Sequence, residues 1–474
     1  MAPKTIVVIP SLTLDQEILK NVRGVNYYEE RMLCMLMLLR MPHTHVVYVT
    51  SMPIDPVIID YYLHQLPGIT GHHARKRLHL LSCYDASPVS LTSKILQRPR
   101  LIEAIRDCIP YGHLAHITFF NVTDEERSLA VQLRLPVYGC DPDLLLLGNK
   151  SNGRKIFRQR GLQVPPGYED IASFDDLVGA LAELKTTFPG MKKAVVKLNE
   201  GFSGDGNAIF SYEGSEQVVD MRQWIINYFH ERFTPIAKNL TVEQFLEKLE
   251  NMEGIVEAFI EGEIKTSPSV QCRVTPLGET DVISTHDQVL GGNAAQVYLG
   301  ATFPARKEYA AELGMLGNTV ACALRDEGVL GRFSVDFVSV KRPSGWEHYA
   351  IEINLRKGGT THPYLMLQFL TNGHYDSSTG DYITANGQKR YYFATDNLEN
   401  ERYKGITPSD LVDIAMNHDL LYDGSTQQGV MFHLIGALSQ FGKAGVVCIG
   451  DSHAAAAAFF EQTTAALHQE GAGS

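Results

Sequence analysis

Two short segments constrain this chain most: Gly331-Arg-Phe-Ser-Val-Asp-Phe-Val-Ser-Val340 and Tyr349-Ala-Ile-Glu-Ile-Asn-Leu-Arg356. In each, polar residues alternate with apolar ones, and side chains alternate faces along a strand. Arg332, Ser334 and Asp336 therefore share one face of the first strand, and Glu352, Asn354 and Arg356 share one face of the second. The connection through Arg342-Pro343-Ser344-Gly345 is short enough for an antiparallel hairpin. A turn centred near Ser344 sets Asp336 opposite Glu352, Ser334 opposite Asn354, and Arg332 opposite Arg356. A solvated amphipathic hairpin would explain either strand alone. Two acids placed directly opposite, however, repel unless a cation lies between them. Asp, Glu and Asn form a hard-oxygen set that suits Mg²⁺, which keeps waters and phosphate oxygens as its other ligands.

Three further features carry chemistry. In Val195-Val-Lys-Leu-Asn-Glu-Gly-Phe-Ser-Gly-Asp-Gly-Asn207, Lys197 ends a strand and a loop with Gly201, Gly204 and Gly206 follows. Glycines let backbone amides approach phosphate oxygens, and a lysine adds charge. No G-K-[ST] closes the loop, so it is not a P-loop. Taken alone, it fits a flexible hairpin tip as well as a phosphate lid. Lys150, in Gly148-Asn-Lys-Ser-Asn-Gly153, reads by itself as a surface lysine at a helix start. Val256-Glu-Ala-Phe-Ile-Glu-Gly-Glu263 is an extended apolar segment ending in acids. It could present backbone groups to adenine and a carboxylate to ribose, and a plain strand end explains it equally well.

The first ~145 residues alternate strand-like runs (Thr5–Ile9, His45–Thr50, Leu78–Cys83, His116–Asn121) with helical patterns near 26–40, 55–65, 93–107 and 124–133. That alternation indicates a parallel, helix-covered sheet. No G-x-G-x-x-G follows the first strand, so a dinucleotide site of the usual kind is not supported. From about 146 the texture changes to a basic helix at Lys150–Gly161, a turn at Val164-Pro165-Pro166-Gly167, and strands at 194–198, 254–260, 268–275, 280–285, 332–340 and 347–355. Helices are expected at Gln217–Phe229 and Thr241–Leu249. Beyond Gly373 the chain reads as a polar connection, then apolar runs at Val430–Leu438 and Gly445–Gly450, then an alanine-rich helix from Ser452. Gly471–Ser474 should fray.

Composition narrows the function classes. The 474 residues suggest about three domains. Forty-two Lys+Arg against 54 Asp+Glu give a net charge of −12, which argues against a nucleic-acid partner because phosphate backbones need a basic surface. Seven scattered cysteines with no C-x-x-C pair argue against a disulfide framework and fit a reducing compartment. The most apolar stretch, Met32–Met41, is interrupted by Arg40 and falls short of the ~20 residues that span a bilayer. The start lacks the ~7–15 apolar residues of a signal peptide. The expectation is a soluble, cytoplasmic protein with no membrane partner.

The order of these features is specific: lysine, Pro-rich turn, lysine with Gly-loop, E-x-F-I-x-G-E, D-F, and E-I-N-x-R. It resembles the ATP-grasp superfamily over roughly residues 146–365. More narrowly, Leu91-Thr-Ser-Lys-Ile-Leu-Gln-Arg-Pro-Arg100, Tyr298-Leu-Gly-Ala-Thr-Phe-Pro304 and Asn354-Leu-Arg-Lys-Gly-Gly-Thr-Thr-His-Pro363 resemble the pheganomycin-type peptide ligases. The resemblance implies an α/β chain (α+β in its core) with three parts. These are a parallel-sheet pre-ATP-grasp domain at 1–145, an ATP-grasp core at 146–373 and a small C-terminal α/β domain at 374–474.

The resemblance also implies roles. Lys150 and Lys197 would hold the α- and β-phosphates of ATP, with Ser203, Gly204 and Gly206 in the loop closing over the triphosphate. Glu257 and the backbone of Ile260 would read adenine, and Glu263 the ribose. Asp336, Glu352 and Asn354 would bind Mg²⁺, and Arg332 and Arg356 would face the reacting carboxyl group. The implied reaction joins a small-molecule carboxylate to an amine, such as an amino acid or peptide. It passes through an acyl phosphate and releases ADP and phosphate, and a homodimer is open as the assembly. The alternatives are an ATP-grasp carboxylase or kinase, and a nucleotide-binding regulatory protein without turnover. His286, His362 and His433 are candidates for substrate contact or proton handling.

Overall fold

The computed structural model describes residues 2–13, 19, 23–200, 206–237, 240–291 and 297–471. The β-branched runs near the start form a four-stranded parallel sheet in the order Leu78–Ser82, Thr44–Thr50, Lys4–Ile9, Ala115–Phe119. Val7, Val8, Val46 and Val47 are all fully buried. Continuous apolar strands of this kind belong to a parallel sheet covered on both faces. The helical stretch expected near 26–40 is wound as a 3₁₀ helix, Val25–Arg40. The one expected at 93–107 is two helices, Leu91–Leu96 and Pro99–Asp107. Pro99 cannot continue a helix from its interior but is suited to begin one.

The middle of the chain builds two antiparallel sheets. The smaller has five strands in the order Gly167–Ile171, Gly254–Ala258, Lys193–Leu198, Asn207–Ser211, Phe233–Pro235. The helices Phe174–Thr187, Met221–Arg232 and Val242–Met252 pack on it around Leu181, Phe229 and Phe245. The larger has eight strands, running Gly345–Asn354, Gly331–Arg342, Lys265–Val274, Thr280–Gly291, Val297–Phe303, Tyr391–Glu399, Lys443–Gly450, Gly429–His433. The mixed α/β architecture with a parallel N-terminal sheet is the one expected.

Several parts of this were not expected from the sequence, among them the helix Phe174–Thr187 and the strands Asn207–Ser211 and Val297–Phe303. The polar connection beyond Gly373 contains the strand Tyr391–Glu399, which pairs with Val297–Phe303 on one side and Lys443–Gly450 on the other. The helix Ala310–Asp326, which carries Gly314 and Gly317, was not expected; interior glycines weaken a helical pattern. A Cβ at Gly317 would lie 2.5 Å from Val270 Cγ1, so that glycine is what lets the helix settle on the sheet. The fraying expected at the C-terminus falls, from 472 on, outside the described residues. Among the described residues no helix is long and apolar enough to cross a membrane.

One core joins the ends of the chain: Leu33, Met37 and Tyr62 pack with Ile435, Val446 and Tyr392. Glu30 lies inside it, 4% exposed, and its two carboxylate oxygens accept the Gly436 N–H at 3.1 and 3.2 Å. Burial, with smaller contributions from Glu29 and Asp55, pushes this carboxyl up to about 8, against the backbone donors that lower it. The folded state therefore holds a proton that the unfolded chain releases near pH ~4.3. The stability tied to Glu30 is complete below that pH and is lost as pH rises through about 8. Glu30→Gln keeps an acceptor and removes the titration. Urea unfolding at roughly pH 5 and roughly pH 9 should show the variant gaining on the wild type as pH rises. A difference that does not change with pH would show that Glu30 is not linked to folding.

Candidate active site

The Pro343-Ser344 turn pairs Arg342 with Gly345 and continues in register to Phe337 opposite Ala350. Carried one step further, that register would set Asp336 against Ile351 and turn Glu352 to the other face, because side chains alternate. A β-bulge intervenes. Ile351 is the extra residue, and beyond it Asp336 faces Glu352 and Ser334 faces Asn354. Bulges re-aim side chains in this way. The expected pairing of Arg332 with Arg356 does not form: Arg356 lies past the end of its strand, and Arg332 is in register with Arg273.

The polar face of the hairpin lines a cleft of about 710 Å³ between the five-stranded and eight-stranded sheets. Lys197, Gly206, Glu257 and Ile260 line it from one side, Asp336, Glu352 and Asn354 from the other, with Lys150 and Arg356 among them. Lys150 opens the helix Lys150–Gln159, whose first turn Asn149 caps through its side chain. Its ammonium lies 3.2 Å from Glu352 Oε1. Lys197, one residue before the end of its strand, lies 2.6 Å from Glu257 Oε2. That strand lies against Gly254, where a Cβ would come within 2.4 Å of the Lys197 carbonyl oxygen.

The two facing acids are not equivalent. Asp336 Oδ2 accepts the Asn354 amide at 3.0 Å and Oδ1 accepts Gln288 at 3.1 Å. Burial first, and the Glu352 charge second, push its carboxyl up to about 6. Burial also raises Glu352, but Lys150, then Arg356 and Lys197, more than reverse this and hold it below the usual range. The repulsion of the pair therefore falls on Asp336. Among the described residues Arg356 donates a side-chain hydrogen bond to the Lys357 carbonyl at 3.2 Å, although both acids are near enough to favour its charge. No group of three or more His, Cys, Asp or Glu is placed to hold a metal among the described residues. Two facing carboxylates, one raising the proton affinity of the other, with an amide oxygen beside them, fit a divalent cation that also takes phosphate oxygens.

Several expected residues stand elsewhere. Arg332 does not line the cleft. It lies near Arg273, Tyr138, Tyr364 and Lys357, and its Nη1 is buried without a partner among the described residues. Glu263 is exposed and also outside the cleft lining. Ser203 and Gly204 lie outside the described residues. Glu257 is in the cleft, but one oxygen accepts Arg154 and the other pairs with Lys197. His286 is buried against Tyr392, 2.5 Å from its hydroxyl, and burial drives its pKa down to about 3. Arg154 was missed. It is 1% exposed and bridges Glu169, Glu257 and the Pro165 carbonyl. The available signal was its spacing: four residues after Lys150, it falls on the same helix face.

Residues 144–235 and 214–378 match the IQCH-like ATP-grasp family, and residues 410–461 match the PGM1 C-terminal domain family. The chain is 29% identical over 476 residues to an L-propargylglycine–L-glutamate ligase of Streptantibioticus cattleyicolor, covering 98% of this chain and 94% of that one. It is 22% identical over 519 residues to IQ motif-containing protein H of Danio rerio, covering 99% of this chain and 49% of that protein, about half its length. In fold it resembles an N5-carboxyaminoimidazole ribonucleotide synthetase in complex with ADP. The TM-score there is 0.55 at 15% identity, covering 99% of each chain. It also resembles the biotin carboxylase domain of a Hydrogenobacter thermophilus 2-oxoglutarate carboxylase, with a TM-score of 0.56 at 12% identity, covering 98% of this chain and 90% of that one. On its motifs and this family match, residues 144–378 form an ATP-grasp region, and the fold of the chain is shared with ATP-grasp enzymes.

Proposed function

We propose that this chain is an ATP- and Mg²⁺-dependent carboxylate–amine ligase that forms an amide bond through an acyl phosphate and releases ADP and phosphate. The observation that carries this reading is the bulged hairpin. It sets Asp336, Glu352 and Asn354 on one face of a cleft that also holds Lys150, Lys197 and Arg356. The relation to a ligase over nearly the whole chain supports it.

Asp336, Glu352 and Asn354 would hold the metal, and Lys150 and Lys197 the phosphates. ATP supplies the phosphoryl group, and the metal neutralises the charge that builds up as it moves. Ile260 lines the cleft on the Lys197 side, consistent with an adenine subsite there. Glu257 would position Lys197, and Arg154 would hold Glu257. Arg356, hydrogen-bonded to neither acid, is the cation most available to a substrate carboxyl. A preorganised donor aimed at developing negative charge in a water-poor cleft lowers such a barrier by several kcal/mol. No side-chain nucleophile is required.

The reading is tested by chromatography of the nucleotide product with mixed carboxylates and amines. ADP and phosphate, formed only when an amine is present, support it. AMP and pyrophosphate would mean adenylation, and dependence on bicarbonate instead of an amine would mean carboxylation. Glu352→Gln should abolish turnover at saturating Mg²⁺; a wild-type rate would remove Glu352 from the site. Arg356→Met should bind ATP nearly as well as the wild type and lose roughly 10²–10³-fold in kcat. Arg332→Met, outside the cleft, should keep kcat within about threefold. Equal losses in the two variants would mean that Arg332 reaches the reacting carboxyl after all.

A further inference from the structure

The cleft has a second polar end that the phosphate and metal residues leave unused. Tyr28 and Arg31 line it from the 3₁₀ helix Val25–Arg40, with Tyr298, Asp396 and Asn397 also in the wall. Residues i and i+3 eclipse in a 3₁₀ helix. Arg31 accordingly stands over Tyr28, its guanidinium carbon 4.1 Å from that ring centroid and 5.7 Å from that of Phe120. Nη2 donates to Asp396 Oδ2 at 2.5 Å, while Nε is buried and has no hydrogen-bond partner among the described residues. His433 Nε2 donates to the other Asp396 oxygen at 2.8 Å. Asp396 itself is buried at a β-bulge between Thr395 and Leu398, where the strand is bent to aim a side chain.

This is a built guanidinium. Rings fix its plane, a carboxylate fixes one end, and donors remain on the other edges. It is near enough to Arg356 for the two charges to repel, and an anion between them relieves that cost. The group it takes is not the one activated, because the metal ligands and Arg356 form the activating end and Arg31 is hydrogen-bonded to none of them.

We propose that Arg31 binds a carboxylate of the amine substrate, so that the acceptor is an amino acid or peptide with a free acid group, its amine directed toward Arg356. This rests on the ligase reading. In the step it serves, the amine nitrogen forms the new C–N bond and the acyl C–O bond to phosphate breaks. Phosphate leaves with the bonding pair, and the nitrogen gives up a proton to it.

The experiment compares the wild type, Arg31→Met and Arg31→Lys, each with Mg-ATP and an equimolar mixture of the twenty L-amino acids. Each is run with and without hydroxylamine, an amine that carries no carboxylate. Hydroxamates and dipeptides are measured by mass spectrometry. Lysine keeps Asp396 paired, which guards the fold, but lacks the second set of donors. The expected result is a fall in dipeptide of about tenfold or more in both variants, with hydroxamate reduced by no more than about threefold. Dipeptide yields equal to the wild type's overturn the inference. So does hydroxamate falling as far as dipeptide, because Arg31 would then serve the acyl donor. A wild-type chain that makes neither product overturns the ligase reading, and this inference with it. A wild type that makes hydroxamate but shows no effect of Arg31 overturns this inference alone.

Discussion

Two carboxylates held face to face across one strand pair are the constraint around which the rest of the cleft is arranged. Like charges in direct cross-strand register destabilise a sheet, and burial makes the repulsion stronger. The fold answers with cations from separate elements: Lys150 from a helix start, Lys197 from near the end of a strand in the other sheet, Arg356 from just past the hairpin. The answer is lopsided. Glu352 is compensated and stays ionised, whereas Asp336 is left with a raised proton affinity. On the proposed function this residual imbalance is what a divalent cation would remove.

Backbone irregularity decides where that charge points. Without the extra residue at Ile351, the tight turn would send Glu352 to the face that Phe337 and Ala350 pack on. A second bulge, at 396–397, accompanies the one buried acid of the strand Tyr391–Glu399. In both places one unpaired residue resets the alternation and brings a carboxylate to the cleft wall.

These bulges also mark the limit of what the sequence discloses. Alternation along 331–340 and 349–356 made the hairpin, its polar face and the Asp336–Glu352 pairing legible. The pairing was reached from a turn centred on Ser344, whereas the chain turns on two residues and recovers the same register through the bulge. Arg332 shows where such reasoning stops: strand parity put it on the right face, but the neighbouring strand at that level presents Arg273, not Arg356. The helix Ala310–Asp326 was missed although its Gly317 serves contact with the sheet at Val270. Arg31 and Asp396 were missed for another reason. They are 365 residues apart and meet only through the packing of the chain's two ends. Local periodicity carries no information on such a contact.

The network also explains how phosphate could enter without stranding a buried charge. Breaking a buried ion pair by removing one partner costs about 3–5 kcal/mol, since the other charge is left uncompensated. If Lys197 turns to a phosphate, Glu257 still holds Arg154, which is anchored a second time by Glu169. If Lys150 leaves Glu352, on the proposed function a metal would take its place beside a carboxylate held below the usual range. Each acid that gives up a lysine thus has a second cation, one built into the fold and one arriving with the nucleotide. On the proposed function, a cleft arranged this way would exchange partners on binding instead of creating or losing charge pairs. On this reading Arg154, which touches no substrate in the proposed reaction, is buried to keep Glu257 paired when Lys197 turns away.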